Sequence, residues 1–210
     1  PDDGLDHIIA DEDLLTELRG LHGDLESNHD VVGTDETFPS PSYEGPYVIL
    51  RDAILRDSTF GDSHNLEVFQ DGGVYVKDYD LPCDLSSAFV SLSTNYSVAD
   101  ALTGETWADR IRQSVHLEDG KVVNLRNEIR VEAATSAESE QVVKEFENML
   151  GDEDKSGTLR YNLAGNAKLY VTGDLAMLQT VLDGLSSSQV ESTLISLAVS
   201  FLVLFALTRR

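Results

Sequence analysis

From Ser192 to Thr208 the chain reads STLISLAVSFLVLFALT, seventeen residues without a charge, and Arg209 and Arg210 follow. A helix rises about 1.5 Å per residue, and crossing a hydrocarbon core of about 30 Å takes about 20 apolar residues, with about 17 as the lower bound. The run meets that bound. Paired arginines at one end of a span mark the cytoplasmic side. Residues 1–191 are therefore expected to be extracytoplasmic, with Arg209 and Arg210 in the cytoplasm. The competing reading is a buried core helix. The run is apolar all round, and a soluble helix of that kind must be enclosed on every side. A signal peptide is excluded by position, and the two arginines fit a glycolipid-anchor tail poorly.

The chain as a whole is strongly acidic. Thirty-eight carboxylates stand against fifteen bases, for a net charge of −23. Such a surface excludes nucleic acid and anionic lipid headgroups as partners. It reads as adaptation to high salt: at molar salt the Debye length falls to about 3 Å, and self-repulsion is screened. A halophilic, haloarchaeal source is implied. Hydrophobic residues make up 41% of the chain, enough for a core and too many for a disordered segment. Cys83 is the only cysteine, so no intrachain disulfide can form. Asn95-Tyr96-Ser97 fits the N-glycosylation pattern. The chain opens on Pro1, and a piece of a longer protein is expected.

Hydrophobic spacing places the elements. Residues 11–27 predict an amphipathic helix capped by Asp11, with Leu14, Leu15, Leu18, Leu21 and Leu25 in one stripe and Gly20 and Gly23 weakening it. The proline- and glycine-bearing stretch 33–46 reads as a loop, and Tyr47–Leu50 as a short strand. Residues 66–79 predict a hairpin turning at Asp71-Gly72-Gly73. Residues 98–115 predict a helix through Val98, Leu102, Trp107, Ile111 and Val115, interrupted at Thr103-Gly104. From Lys121 to Ala133 the alternation predicts a strand with Val123, Leu125, Ile129, Val131 and Ala133 on its buried face and Asn127 as its break. Thr135-Ser136-Ala137-Glu138 is a capping box opening a helix along Val142, Val143, Phe146, Met149 and Leu150, which Gly151 ends. Leu159, Tyr161 and Leu163 predict a second strand over 158–163, and another short run covers Leu169 to Thr172.

Strand, helix and strand, each apolar on one face, imply helices on one side of an open sheet, an α+β sandwich of ferredoxin-like form. Residues 174–208 predict one nearly continuous helix of about 52 Å. The organisation expected is an extracytoplasmic α+β domain over 1–173, with 31–120 poorly determined, a connecting helix over 174–191 and a transmembrane helix over 192–208.

Reactive chemistry is sparse. His7, His22, His29, His64 and His116 are scattered and form no helical pair of the kind zinc sites use. There is no CxxC, GxSxG, phosphate loop or dinucleotide fingerprint. Cys83 stands beside Asp84, which disfavours a thiolate. Asp152, Asp154 and Ser156, with Gly157, match the first half of a calcium-binding EF-hand loop. The twelfth position is Leu163 rather than a bidentate glutamate, so the segment reads as a solvated acidic turn with weak calcium affinity at best. Neither an enzyme nor a cofactor is expected.

The segment VTGDLAMLQTVLDGLSSSQVESTLISLAVSFLVLFALTRR, Val171 to Arg210, resembles the approach to the second transmembrane helix of an RND-superfamily transporter of the MMPL type. In that family a porter-domain strand ends in a Thr-Gly pair, here Thr172-Gly173. A helix then runs through a polar patch, here Ser186 to Gln189, into an apolar span with a basic cytoplasmic end. The strand–helix–strand of 121–172 resembles the family's porter subdomain, and DEDLLTELRGLHGDLES resembles that domain's first helix. The resemblance covers 121–210 and 1–30 and leaves 31–120 unaligned. It implies a substrate-handling outer part of a proton-driven exporter of lipids or other hydrophobic molecules. Its partners would be the bilayer, through 192–208, and the remaining membrane helices, among them the one that carries protons. The alternative is a membrane-anchored ligand-binding or sensory domain.

Overall fold

The computed structural model describes residues 11–27, 43–95, 99, 104–129, 131, 135–163, 168–173, 192–193 and 196–197. The chain divides into two units, 1–132 with 148–169, and 133–147 with 170–210. The predicted connecting helix over 174–191 and most of the predicted span over 192–208 lie outside the described residues, as do Val98, Leu102 and the loop residues 33–42. Residues 192–193 and 196–197 are helical. Among the described residues no helix is long and apolar enough to cross a membrane.

In the first unit the leucine stripe forms helix α1 (Asp11–Ser27), with Leu14, Leu15, Leu18 and Leu25 buried and Leu21 half-buried. Tyr47–Leu50 is not a strand. It lies in helix α2 (Pro46–Arg56), which starts at proline, a residue suited to the first helical turn because its missing N–H has no partner to lose there. Tyr47, Val48, Ile49 and Leu50 are all buried, and so are Ala53 and Ile54 one turn on. A helical turn buried on every side shows no apolar periodicity, so the four-residue run looks like a strand. The neighbours here are α1, the short helix α3 (Ser58–Ser63), strand β2 (Leu66–Val68) and helix α5 (Trp107–Ser114). Asp57 links α2 to α3. Its N–H donates to the Ala53 carbonyl at 2.8 Å, and its carboxylate accepts from the N–H groups of Thr59 and Phe60.

The hairpin forms as predicted. β2 pairs antiparallel with β3 (Val74–Val76), Leu66 opposite Val76 and Val68 opposite Val74. Gly72 takes φ +80° in the turn. Helix α4 (Leu85–Ser93) is capped by Asp84, which accepts from Ser87 N–H at 2.8 Å, and it packs on α5. The helix predicted over 98–115 is shorter than its apolar pattern. α5 starts at Trp107 because Gly104 is left-handed (φ +73°) and Thr106 and Asp109 form a reciprocal capping box. Val115 leaves the helix and opens strand β4 (Val115–Glu118). The core gathers Ile49, Leu50, Leu85, Phe89, Leu92 and Ile111, each at most 1% exposed.

Over its described residues the predicted strand 121–133 is two strands with different partners, and Arg130, Glu132 and Ala133 lie outside those residues. β5 (Lys121–Leu125) pairs with β4 across Asp119-Gly120, both with positive φ, as a two-residue hairpin turn requires. The register shifts between His116, opposite Asn124, and Leu117, opposite Val122, which leaves Val123 as the extra residue of a bulge. The shift reverses the inward face: Val122 is 1% exposed and Val123, predicted inside, is 37% exposed. After the break at Arg126-Asn127, β6 (Glu128–Ile129) pairs with β1 (Tyr43–Glu44) far away in sequence.

Helix α6 (Ser136–Leu150) carries the predicted box: Thr135 N–H donates to Glu138 at 3.0 Å, and Glu138 N–H to the Thr135 hydroxyl at 3.2 Å. Gly151 follows it in the left-handed region, φ +70°. The predicted strand 158–163 is instead helix α7 (Leu159–Leu163). The Thr158 hydroxyl accepts Tyr161 N–H and so caps a helix, and Leu163 is buried while Tyr161 is 45% exposed. Leucines four apart suit a helix face as well as a strand face. Residues 168–173, including the predicted run to Thr172, form no regular element. The class is α+β, as expected. Among the described residues its strands make three separate two-stranded antiparallel sheets.

Candidate functional site

The i, i+3, i+4 spacing that buries one face of α1 sends another outward. Glu17, Gly20, Leu21, Asp24 and Ser27 fall on it and form one wall of a cleft of about 840 Å³. The opposite wall, also in the first unit, comes from Asn148 and Met149 and from Gly157, Thr158 and Leu159. Asn162 Nδ2 donates to Glu17 Oε1 at 2.9 Å and ties α7 to α1. The cleft thus combines apolar side chains (Leu21, Met149, Leu159) with carboxylates (Glu17, Asp24). Its chemistry suits binding.

A second constellation lies within the fold. His22 of α1 is 7% exposed and touches three elements. Arg51 of α2 donates from Nη1 to His22 Nε2 at 2.7 Å. Nε2 is therefore the acceptor of a neutral ring, and Nδ1 carries the proton that meets the Tyr43 hydroxyl. Glu26 Oε1 lies 3.2 Å from the same Nε2 and 3.4 Å from Arg51. The Tyr43 and Tyr47 rings lie 5.5 and 4.8 Å from the imidazole, and the Tyr47 hydroxyl accepts Val74 N–H at 2.8 Å. Burial, reinforced by the Arg51 charge, holds His22 below the usual histidine range, while Glu26 and Asp52 pull the other way. Protonating Nε2 would take away the acceptor that Arg51 uses and transfer the contact to Glu26. Nearby, Arg110 of α5 donates to Glu44 at 2.7 Å and to Asp52 at 3.3 Å, with its guanidinium 5.0 Å from the Trp107 ring centre. The cluster fixes β1 to α1, α2 and α5. It was not legible in sequence, because its members come from α1, β1, α2 and α5, and the contacts from one element to another depend on the fold.

The residues singled out from sequence stay apart. Asp152, Asp154 and Ser156 are exposed in the turn between α6 and α7, which is closed by Lys155 N–H on the Asp152 carbonyl at 3.2 Å and the Thr158 hydroxyl on the same carbonyl at 2.7 Å. Among the described residues no group of three or more His, Cys, Asp or Glu is placed to hold a metal. Cys83 is half-buried against the edge of the core. His64 stacks near Phe60, at 4.8 Å, and His116 sits exposed beside Glu118 at 3.1 Å. His7 and His29 lie outside the described residues. No protein-family model, curated protein or solved structure matches the chain.

Proposed function

We propose that this chain is the extracytoplasmic, substrate-handling portion of a proton-driven RND-type exporter of lipids or other hydrophobic molecules, held to the bilayer by residues 192–208. The observation that carries the reading is the uncharged seventeen-residue run closed by Arg209 and Arg210 behind a body of strongly acidic composition. Leu197, within that run, is 58% exposed, which is opposite to what a helix enclosed in its own globule requires. The α1 cleft supplies a place for a substrate. Its leucine and methionine side chains favour an apolar body, and Glu17 and Asp24 at its wall disfavour an anionic head. A porter-type, ferredoxin-like sandwich is the finer part of the proposal. Among the described residues β5 is followed by β6 and α6, and 158–163 is a helix where that sandwich would need a returning strand. That helix favours, as a second reading, a membrane-anchored ligand-binding or sensory domain.

The test is reconstitution of the full chain in liposomes at molar salt. Alkaline washing should leave it in the membrane, and protease added outside should digest the body while a tag after Arg210 stays protected. A photoactivatable fatty alcohol should then label the cleft, and Leu21→Glu should abolish the labelling. A chain that is monomeric without detergent and washes off the vesicles removes the anchor and the exporter together. Stable insertion without labelling leaves the sensory reading in its place.

A further inference from the structure

The face of the β2–β3 hairpin that points away from the core carries aromatic side chains. Alternation buries Leu66, Val74 and Val76 and turns Glu67, Phe69, Tyr75 and Lys77 to the other side. With Asp71 and Tyr79 these residues line a cleft of about 650 Å³. Phe69 is 53% exposed and Tyr79 73%. Two large rings left in water beside a third are a cost that packing does not recover.

The backbone that carries the rings is also braced. Phe69 N–H donates to the Gly73 carbonyl and Gly72 N–H to the Phe69 carbonyl, both at 2.9 Å. The Tyr75 hydroxyl donates to Asp71 at 2.6 Å, and Phe69 meets Tyr75 edge to face at 5.0 Å. On the far wall, Asn65 adopts φ +58° and braces the segment around Tyr79, donating to the carbonyls of Asp78 and Leu81 at 2.8 and 2.9 Å and accepting from Asp78 N–H at 2.9 Å. Exposed aromatic side chains on braced backbone are a preorganised binding surface.

Charge selects the ligand. From Asp62 to Asp80 the chain carries five carboxylates and one lysine, and that lysine is matched by Asp62 at 2.5 Å. Glu67 and Asp71 stand at the cleft. Aromatic faces ringed by carboxylates attract organic cations, whose charge meets the negative face of the ring. The fold already uses one ring in this way: the Arg19 guanidinium lies 4.2 Å from the Tyr75 ring centre. We propose that the cleft lined by Phe69, Tyr75 and Tyr79 binds an organic ammonium ion, of the quaternary kind found in free solutes and in lipid headgroups. This site is separate from the α1 cleft and does not rest on the exporter reading.

The test is titration of the full chain with choline at constant molar ionic strength, read by saturation-transfer NMR, with 3,3-dimethylbutanol as the neutral isostere. Choline should bind saturably in the millimolar range, and the isostere about tenfold more weakly. Tyr79→Leu and Phe69→Leu keep apolar bulk at exposed positions and should each weaken choline about fivefold, with an unchanged circular dichroism spectrum. Vesicles of a choline lipid that compete for the site assign it to headgroups, and vesicles that do not compete assign it to free solutes. Equal binding of the isostere, tighter binding of a neutral saccharide, an unchanged affinity in both leucine variants, or no saturation each overturns the proposal.

Discussion

Replacing glycine by alanine adds one methyl and stiffens the unfolded chain, yet three helix-associated glycines of this fold should answer with different signs. Gly23 lies in α1, and a Cβ there meets nothing within 4 Å. Only the helix preference is left, so Gly23→Ala should stabilise by about 0.5–1 kcal/mol. Gly61 lies in α3, where a Cβ would come 2.7 Å from the Leu66 carbonyl oxygen and 2.9 Å from Ile54 Cγ2. The first is backbone at the head of β2 and the second belongs to a buried side chain, so neither gives way cheaply. Overpacking costs about 1–3 kcal/mol and outweighs a helix gain of about 1 kcal/mol. A net loss near 1 kcal/mol is expected. At Gly151 the φ of +70° adds about 1–2 kcal/mol for a residue with a Cβ. The new atom would also lie 2.4 Å from Thr158 Cβ, which side-chain rotation cannot move. Gly151→Ala should therefore lose most, about 2–4 kcal/mol. At about 2–4 °C per kcal/mol for a chain of this length, thermal unfolding followed by circular dichroism at fixed molar salt should rank Gly23→Ala above the parent, then Gly61→Ala, then Gly151→Ala. A Gly61→Ala midpoint equal to that of Gly23→Ala would refute the packing around Leu66 and Ile54.

Phe89 is wholly buried, and Phe89→Ala should cost about 3–5 kcal/mol in denaturant unfolding; a loss below about 1 kcal/mol would contradict its place in the core. His22 is held below the usual histidine range by burial first, and so is His64, so the unfolded chain binds more protons than the folded one just below the unfolded pKa of about 6.5. Their contribution is complete above that pH and declines as pH falls through the folded values. Unfolding free energy should drop as pH falls below about 6.5, and His22→Gln should flatten part of the drop; an equal slope in the variant removes His22 as a cause. With a net charge of −23, the unfolding midpoint should climb as salt rises from about 0.1 M to about 1 M, where the Debye length shrinks from about 10 to about 3 Å; a salt-independent midpoint ends the halophilic reading.

What the sequence disclosed and what it hid divide along one physical line. α1, the hairpin turning at Asp71-Gly72-Gly73, the Thr135–Glu138 box and left-handed Gly151 were legible because each is decided by residues within a turn of one another. Periodicity fails where a neighbour in space makes the decision. The opening turn of α2 buries every residue from Pro46 to Leu50 among α1, α3, β2 and α5, so that turn shows no stripe and reads as a strand. The alternation from Lys121 to Ala133 gave no sign of the bulge at Val123 and broke only at Asn127, where the partner changes, because a polar–apolar rhythm carries no mark of which strand lies opposite. The same limit hid both candidate sites. The α1 cleft needs Glu17 and Leu159, and the His22 cluster needs Tyr43 and Arg51, residues that only the fold brings together. The hairpin face lay closer to legibility, since Glu67, Phe69, Tyr75 and Lys77 follow from the pleat once the turn is placed. A turn with a committed register therefore predicts which side chains a short hairpin offers to solvent, and two aromatic residues on that side, Phe69 and Tyr75, are the signal to pursue.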